Sequence, residues 1–139
     1  MKIRTGFVSN SSSSSFIIRN DDLNVNLDEI KQKIVQKVYQ DYIENRLNNE
    51  DYKLWYEKHP DWAEYDKKQY GTLEGISEMV DVNMYKNYTN LEFLDCFYSR
   101  KFRPNDIIIE DNNDNYFSQE VKEWIEEEFE TVDSCWHMG

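Results

Sequence analysis

The chain has 139 residues, a formal net charge of −12 and 15% aromatic residues. A chain of this length can bury one core without disulfide or metal crosslinks, and its aromatic content excludes a disordered segment. The negative charge argues against direct binding to nucleic acid or to an anionic membrane, because phosphate groups are bound by clustered lysine and arginine. We predict a single domain, residues 1–139.

The amino-terminal segment contains two short runs, residues 2–8 and 16–19, with the β-branched and aromatic side chains typical of strands. A serine and asparagine stretch separates them and admits three interpretations. It is a hairpin turn, an anion site built from N–H and hydroxyl donors, or a modification site or recognised tag. The anion interpretation lacks the usual glycine and lysine. Its candidate ligand-binding residues are Ser9, Asn10, Ser11, Ser12, Ser13, Ser14 and Ser15.

Apolar residues at helical spacing predict a helix over residues 27–47, with Asn26 as its N-cap. Two shorter helices are predicted over residues 50–59 and 61–70. Pro60 separates them, because the residue before proline disfavours the helical region.

Aromatic residues are concentrated in these two shorter helices. Tyr52, Trp55 and Tyr56 share one face of the first, and Trp62 and Tyr65 are expected to point inward from the second. Stacking on nucleic-acid bases is an alternative. Because the interleaved acidic residues would repel a phosphate backbone, we predict packing in the core instead.

The apolar stripe that follows Thr72, the candidate N-cap, predicts a helix over residues 73–84. A capping-box pattern beginning at Thr89 predicts another helix over residues 90–103.

An isoleucine run predicts a buried strand over residues 106–110. Ser118 is the expected N-cap of a final helix that ends near residue 129, and residues 131–137 form a last strand or an extended tail. This order of elements predicts an α+β fold. Its small sheet combines both termini with the 106–110 strand and packs against several helices.

Charge is distributed unevenly along the chain. Residues 110–133 contain ten acidic residues against one basic residue, whereas residues 1–19 contain three basic residues and no acid. Acids at the carboxyl end of the last predicted helix oppose its dipole, so Lys2, Arg4, Arg19 or a cationic partner is expected to offset them. The candidate partner-binding residues are Glu110, Asp111, Asp114, Glu123, Glu126, Glu127 and Glu130.

The sequence carries no motif that requires a cofactor or a metal. Residues 111–115 resemble the start of a calcium loop, but Tyr116 and Lys122 occupy the positions that need glycine and glutamate. Neither a Cys-x₂₋₄-Cys pair nor a nucleophile or phosphate-loop motif occurs. The two cysteines form no paired motif and the start lacks a signal-peptide core, so we predict a cytoplasmic protein with no membrane span. The missing catalytic motifs favour a non-enzymatic role, with an enzyme as the alternative.

The sequence FVSNSSSSSF at residues 7–16 resembles the amino-terminal signature of small uncharacterised proteins from phages and low-GC bacteria. The WHMG ending at residues 136–139, which follows the last predicted helix, is similar to a recurring finish in such proteins. The resemblance implies a phage or host-cell setting and two neighbouring termini, but no activity. We therefore expect an acidic accessory protein that binds and modulates a basic host or defence protein. A small-ligand or phosphate-binding protein, and a serine tag, remain alternatives.

Overall fold

The computed structural model describes residues 14–87, 102–111 and 117–135 of the chain. A π-helical turn, Ile43–Leu47, continues the first helix, and a short 3-10 turn, Tyr85–Asn87, follows the second strand. The elements in chain order are β1 (Ser15–Ile18), α1 (Leu27–Tyr42), α2 (Glu50–Lys58), α3 (Pro60–Tyr70), α4 (Leu73–Met79), β2 (Val80–Met84), β3 (Ile107–Asp111), α5 (Gln119–Glu128) and β4 (Asp133–Cys135).

The described strands form one antiparallel sheet in the order β2-β3-β1-β4. Phe16 of β1 lies opposite Ile109 of β3 on one side and Ser134 of β4 on the other. The first and last described strands, β1 and β4, therefore lie in one sheet with the isoleucine strand, which confirms the predicted α+β fold. The strand predicted over residues 2–8 lies outside the described residues.

The core lies between the sheet and three helices, α1, α4 and α5. Phe16, Ile107 and Ile109 point to this side and pack in one cluster with the buried apolar residues of those helices. Each such side chain contributes about 1.5–3 kcal/mol through its removal from water. Ile17 and Ile108 point to the opposite face and are also buried. This two-sided burial explains why β3 is a continuous apolar run rather than an alternating one.

Three predicted N-caps are confirmed, at Asn26, Thr72 and Ser118. In each case the side-chain oxygen accepts a hydrogen bond from a backbone N–H two or three residues later, at 3.0 to 3.3 Å. Such a bond satisfies a donor that the first helical turn leaves unpaired, and it stabilises a helix by about 1 kcal/mol. These caps fix where α1, α4 and α5 begin.

The helix predicted over residues 73–84 is wrong in its second half. It ends at Met79, and Val80 begins β2, which pairs antiparallel with β3. Alternation places Val80, Val82 and Met84 on one side of the strand, and Val80 is fully buried in the core. Most of the helix predicted over residues 90–103 lies outside the described residues.

Candidate functional site

The outer side of α5 carries three of the predicted partner-binding residues. Val121 and Ile125 anchor the helix in the core, and this orientation leaves Glu123, Glu127 and the following Glu130 exposed to solvent. We call these three glutamates the acidic face. Within the part of the chain that the structure describes, no lysine or arginine forms an ion pair with any of them.

The end of α5 holds Glu130 in an unusual backbone conformation. Its φ is 47°, in the left-handed region that favours glycine. The N–H of Thr131 donates to the carbonyl of Glu126 at 3.3 Å, and the N–H of Glu130 donates to the carbonyl of Glu127 at 3.4 Å. This pair of bonds is a Schellman motif. It turns the chain back into β4 and leaves the Glu130 carboxylate outside.

Glu110 and Glu126 are half-buried and take part in the fold. Glu110 accepts a hydrogen bond from Ser15 Oγ at 3.2 Å, and Glu126 accepts one from Ser134 Oγ. Glu110 therefore links β3 to the neighbouring strand β1, and Glu126 links α5 to the edge strand β4, so both carboxylates take part in packing as well as adding negative charge. They are less available to a partner than the acidic face.

Asp111 does not belong to an exposed surface, which corrects the sequence prediction. It is 1% exposed, and its carboxylate accepts hydrogen bonds from the N–H of Ser14 at 2.7 Å and the N–H of Phe117 at 3.1 Å. Burial raises its pKa to about 7, although the two N–H donors and Lys122 act in the opposite direction. Asp111 therefore joins the end of β3 to the residue that precedes β1 and to the segment that precedes α5. Asp114 lies outside the described residues.

The predicted ligand-binding serines are only partly described. Ser14 and Ser15 are buried at the start of β1. Ser14 also accepts a hydrogen bond through its carbonyl from the N–H of Asp111 at 3.2 Å. These two serines therefore extend the sheet and do not line an open anion cradle, which removes both from the predicted set. The remaining candidates, residues 9–13, lie outside the described residues.

Arg19 does not offset the acids of α5, contrary to the sequence prediction. Its Nε lies 3.2 Å from Oδ1 of the buried Asp106. Asp106 also accepts a hydrogen bond from the N–H of Arg103 at 3.0 Å, through its other oxygen. The arginine therefore stabilises the turn that leads into β3. The other two predicted cations, Lys2 and Arg4, lie outside the described residues.

The aromatic residues of α2 and α3 form a surface that the sequence analysis had assigned to the core. Tyr52, Trp55, Trp62 and Tyr65 are 37%, 38%, 53% and 46% exposed, so the prediction that Trp62 and Tyr65 point inward is wrong. Successive ring centroids lie 6.3, 6.1 and 5.8 Å apart along this series. We call these four residues the aromatic surface.

A polar cluster occupies the inner side of the two helices and explains this exposure. The buried Asp66 of α3 accepts hydrogen bonds from Arg46 Nη1 at 2.9 Å and from the Tyr56 hydroxyl at 2.6 Å. The Arg46 guanidinium also lies over the ring of Tyr70, 4.4 Å from its centroid. Burial and the bond to Asp66 raise the pKa of the Tyr56 hydroxyl. The π-helical turn that follows α1 delivers Arg46 to this position.

One sequence signal for the aromatic surface was available. Charged residues stand between and beside the aromatic ones in α2, and α2 has no buried residue in the structure. A helix without a clean apolar stripe lacks the pattern of a core helix. The aromatic residue types alone favoured burial of α2 and α3, whereas the absence of an apolar stripe on α2 indicated that this helix lies at the surface.

Comparisons with known proteins leave the site to be interpreted on its own geometry. No protein-family model matches the chain, and neither a curated protein nor a solved structure matches it. Among the described helices, none combines the length and apolar character that a membrane crossing requires. The described side chains also contain no group of three or more potential metal ligands.

Proposed function

We propose that this protein is a small, non-enzymatic accessory protein that binds and modulates a basic host or defence protein through its acidic face. The observation that carries the proposal is the exposure of Glu123, Glu127 and Glu130 along one side of α5. The resemblance in the terminal motifs supports a phage or low-GC bacterial setting, in the cytoplasm of the host cell.

The electrostatics of α5 favour a cationic partner. Negative charges near the carboxyl end of a helix oppose its dipole, at a cost of about 0.3–1 kcal/mol each at low ionic strength. A lysine- or arginine-rich surface would relieve this repulsion on binding. Exposed charges of one sign also accelerate association with an oppositely charged protein, and their effect weakens as salt rises.

The test compares two variants that change the net charge equally. One variant, E123Q/E127Q/E130Q, removes the acidic face, and the control, E29Q/E44Q/E74Q, removes three exposed glutamates outside α5. Each is immobilised beside the wild type and exposed to a lysate of a low-GC bacterium at low salt. Captured proteins are then identified by mass spectrometry.

We expect one basic protein to be captured by the wild type and by the control, to be lost from the acidic-face variant, and to elute at ~0.5 M salt as screening increases. Equally reduced capture by both variants would show that only net charge matters, whereas undiminished capture by both would show that these glutamates do not bind the partner. Equal capture, or no capture at low salt by the wild type, contradicts the proposal.

A further inference from the structure

The aromatic surface has no role in the proposed function, and it is too exposed to serve the core. We propose that this surface binds arginine or lysine side chains of a basic protein segment, at a site formed by Asp51, Tyr52 and Trp55. The site shares no residue with the acidic face. It is therefore a separate contact, although it selects the same class of partner.

The first observation is the continuity of the exposed rings. Tyr52, Trp55, Trp62 and Tyr65 make successive ring contacts across α2 and α3 and all remain exposed. Connected apolar patches of this kind mark interaction surfaces, and tryptophan and tyrosine are enriched among the residues that dominate binding. The exposed Leu54 adjoins this series in the sequence and adds apolar area on α2.

The second observation is the position of a carboxylate beside two of these rings. Among the described residues, Asp51, Tyr52 and Trp55 border a cavity of about 350 Å³. An aromatic face attracts a cation held within about 6 Å of its centre, and a neighbouring carboxylate adds a charge partner. The same pair of groups repels an anion, so the cavity selects a guanidinium or an ammonium.

The fold already uses the chemistry that the proposal requires. The Arg46 guanidinium lies 5.6 Å from the centroid of the Tyr52 ring. Asp66 pairs with this arginine at 2.9 Å, which offsets the repulsion that Arg46 would otherwise exert on a second cation. The Tyr52 ring therefore already contacts one cation, Arg46, whose charge is neutralised by Asp66.

The carboxylate beside the rings favours a basic protein segment over two other occupants. The Asp51 carboxylate would repel the phosphates of a nucleic acid that approached the rings. A symmetric contact with a second copy places the same patch against itself, which brings two Asp51 carboxylates together. Around the site, the exposed carboxylates Glu50, Glu57, Asp61 and Glu64 are nearly balanced by the exposed lysines Lys53, Lys58, Lys67 and Lys68, and Glu50 lies 3.6 Å from Lys53. Asp51 and the rings, rather than the overall charge of the two helices, therefore favour a basic segment.

The experiment uses the tryptophan side chains as reporters in the intact chain. The chain has four tryptophans, so the indole N–H signals in a ¹H–¹⁵N spectrum can be assigned by single substitutions. The probe is an acetylated peptide, Gly-Arg-Gly-Arg-Gly. Its control replaces arginine with citrulline, which keeps the shape of the side chain and removes its charge.

We expect the Trp55 indole signal to shift saturably with the arginine peptide and not with the citrulline peptide. Asp51→Asn and Trp55→Leu, the latter followed through the backbone amide signals of the same spectrum, each weaken binding by a factor of roughly two to five, the range of one exposed charge or cation–π contact. Both residues are exposed, so the folded spectrum is expected to persist. The acidic-face variant E123Q/E127Q/E130Q binds the arginine peptide as the wild type does.

Several outcomes would overturn the inference. Equal shifts with the citrulline peptide would show that charge is not recognised, and unchanged binding by Asp51→Asn would remove the carboxylate from the site. A Trp55 shift caused by single-stranded DNA would indicate base stacking. A shift that depends on protein concentration, with dimers in sedimentation, would indicate a second copy. If E123Q/E127Q/E130Q loses the basic partner while Asp51→Asn and Trp55→Leu bind both that partner and the arginine peptide as the wild type does, the proposed function stands and this inference fails.

Discussion

At the scale of single residues, Asp111 links the folding of the chain to pH. Its pKa is raised from 3.8 to about 7, chiefly by burial, while nearby Glu110 raises it further and Lys122 lowers it. Between about pH 4 and pH 7 the folded state therefore binds a proton that the unfolded state has released. The contribution of Asp111 to the free energy of unfolding is fully present below this window. It is lost as pH rises to about 7 and is constant above it.

The variant Asp111→Asn tests this dependence. Its amide cannot accept hydrogen bonds from both Ser14 and Phe117, so we expect a loss of about 1–3 kcal/mol at pH 5. The loss should be smaller at pH 8, because the wild type then holds a buried charge that asparagine avoids. Urea unfolding at the two pH values measures the difference, and all other titrating groups are common to both proteins. A difference that stays constant or grows with pH would contradict the assignment.

At the scale of elements, the attachment of α2 and α3 depends on the polar cluster beneath them. The variant Tyr56→Phe removes only the hydroxyl that donates to Asp66 at 2.6 Å. Because the acceptor is charged and buried, we expect a loss of roughly 1.5–3 kcal/mol in the free energy of unfolding. The matched control is Tyr65→Phe, which removes a hydroxyl from an exposed ring and should change stability by less than about 0.5 kcal/mol. Equal effects in urea unfolding would refute the role of the cluster.

The elements that sequence predicted well are those whose signals are local. Caps such as Asn26 and Ser118 act within three residues, and proline ends a helix through its own ring. The boundary at Met79 was missed because Val80 and Met84 fit both the helical and the strand period. The pairing of Val80 with Asp111, 31 positions along the chain, settles the conformation, and no local pattern contains that information.

The residues of the candidate sites also divide into those whose exposure follows from a local sequence pattern and those whose environment depends on tertiary contacts. The exposure of Glu123 and Glu127 follows from the apolar stripe of α5, which is a local pattern. The burial of Asp111 depends on N–H donors from Ser14, 97 positions earlier, and from Phe117, six positions later. The exposure of Trp62 depends on the Arg46–Asp66 pair. Side-chain type indicated the opposite environment for both residues. Tertiary contacts, rather than composition, determine which charges and rings reach solvent.

At the scale of the whole molecule, a net charge of −12 raises the question of whether stability is limited by overall repulsion or by local placement. At physiological ionic strength the Debye length is about 8 Å, so distant exposed charges are largely screened. Local placement should then dominate. Glu127 lies at the unfavourable carboxyl end of α5, four residues after Glu123, whereas Glu29 lies in the favourable first turn of α1.

Two single variants with the same change in charge separate these possibilities. We expect Glu127→Gln to raise the free energy of unfolding by about 0.5–1 kcal/mol, since it removes a like-charge pair and an adverse dipole interaction. Glu29→Gln should lower it by about 0.3–1 kcal/mol, since it removes a favourable one. Thermal unfolding at 10 and 150 mM salt measures both effects, which should shrink at the higher salt. If Glu29→Gln also stabilises the protein, overall repulsion is the larger force, and the acidic face is then no more costly than the rest of the surface.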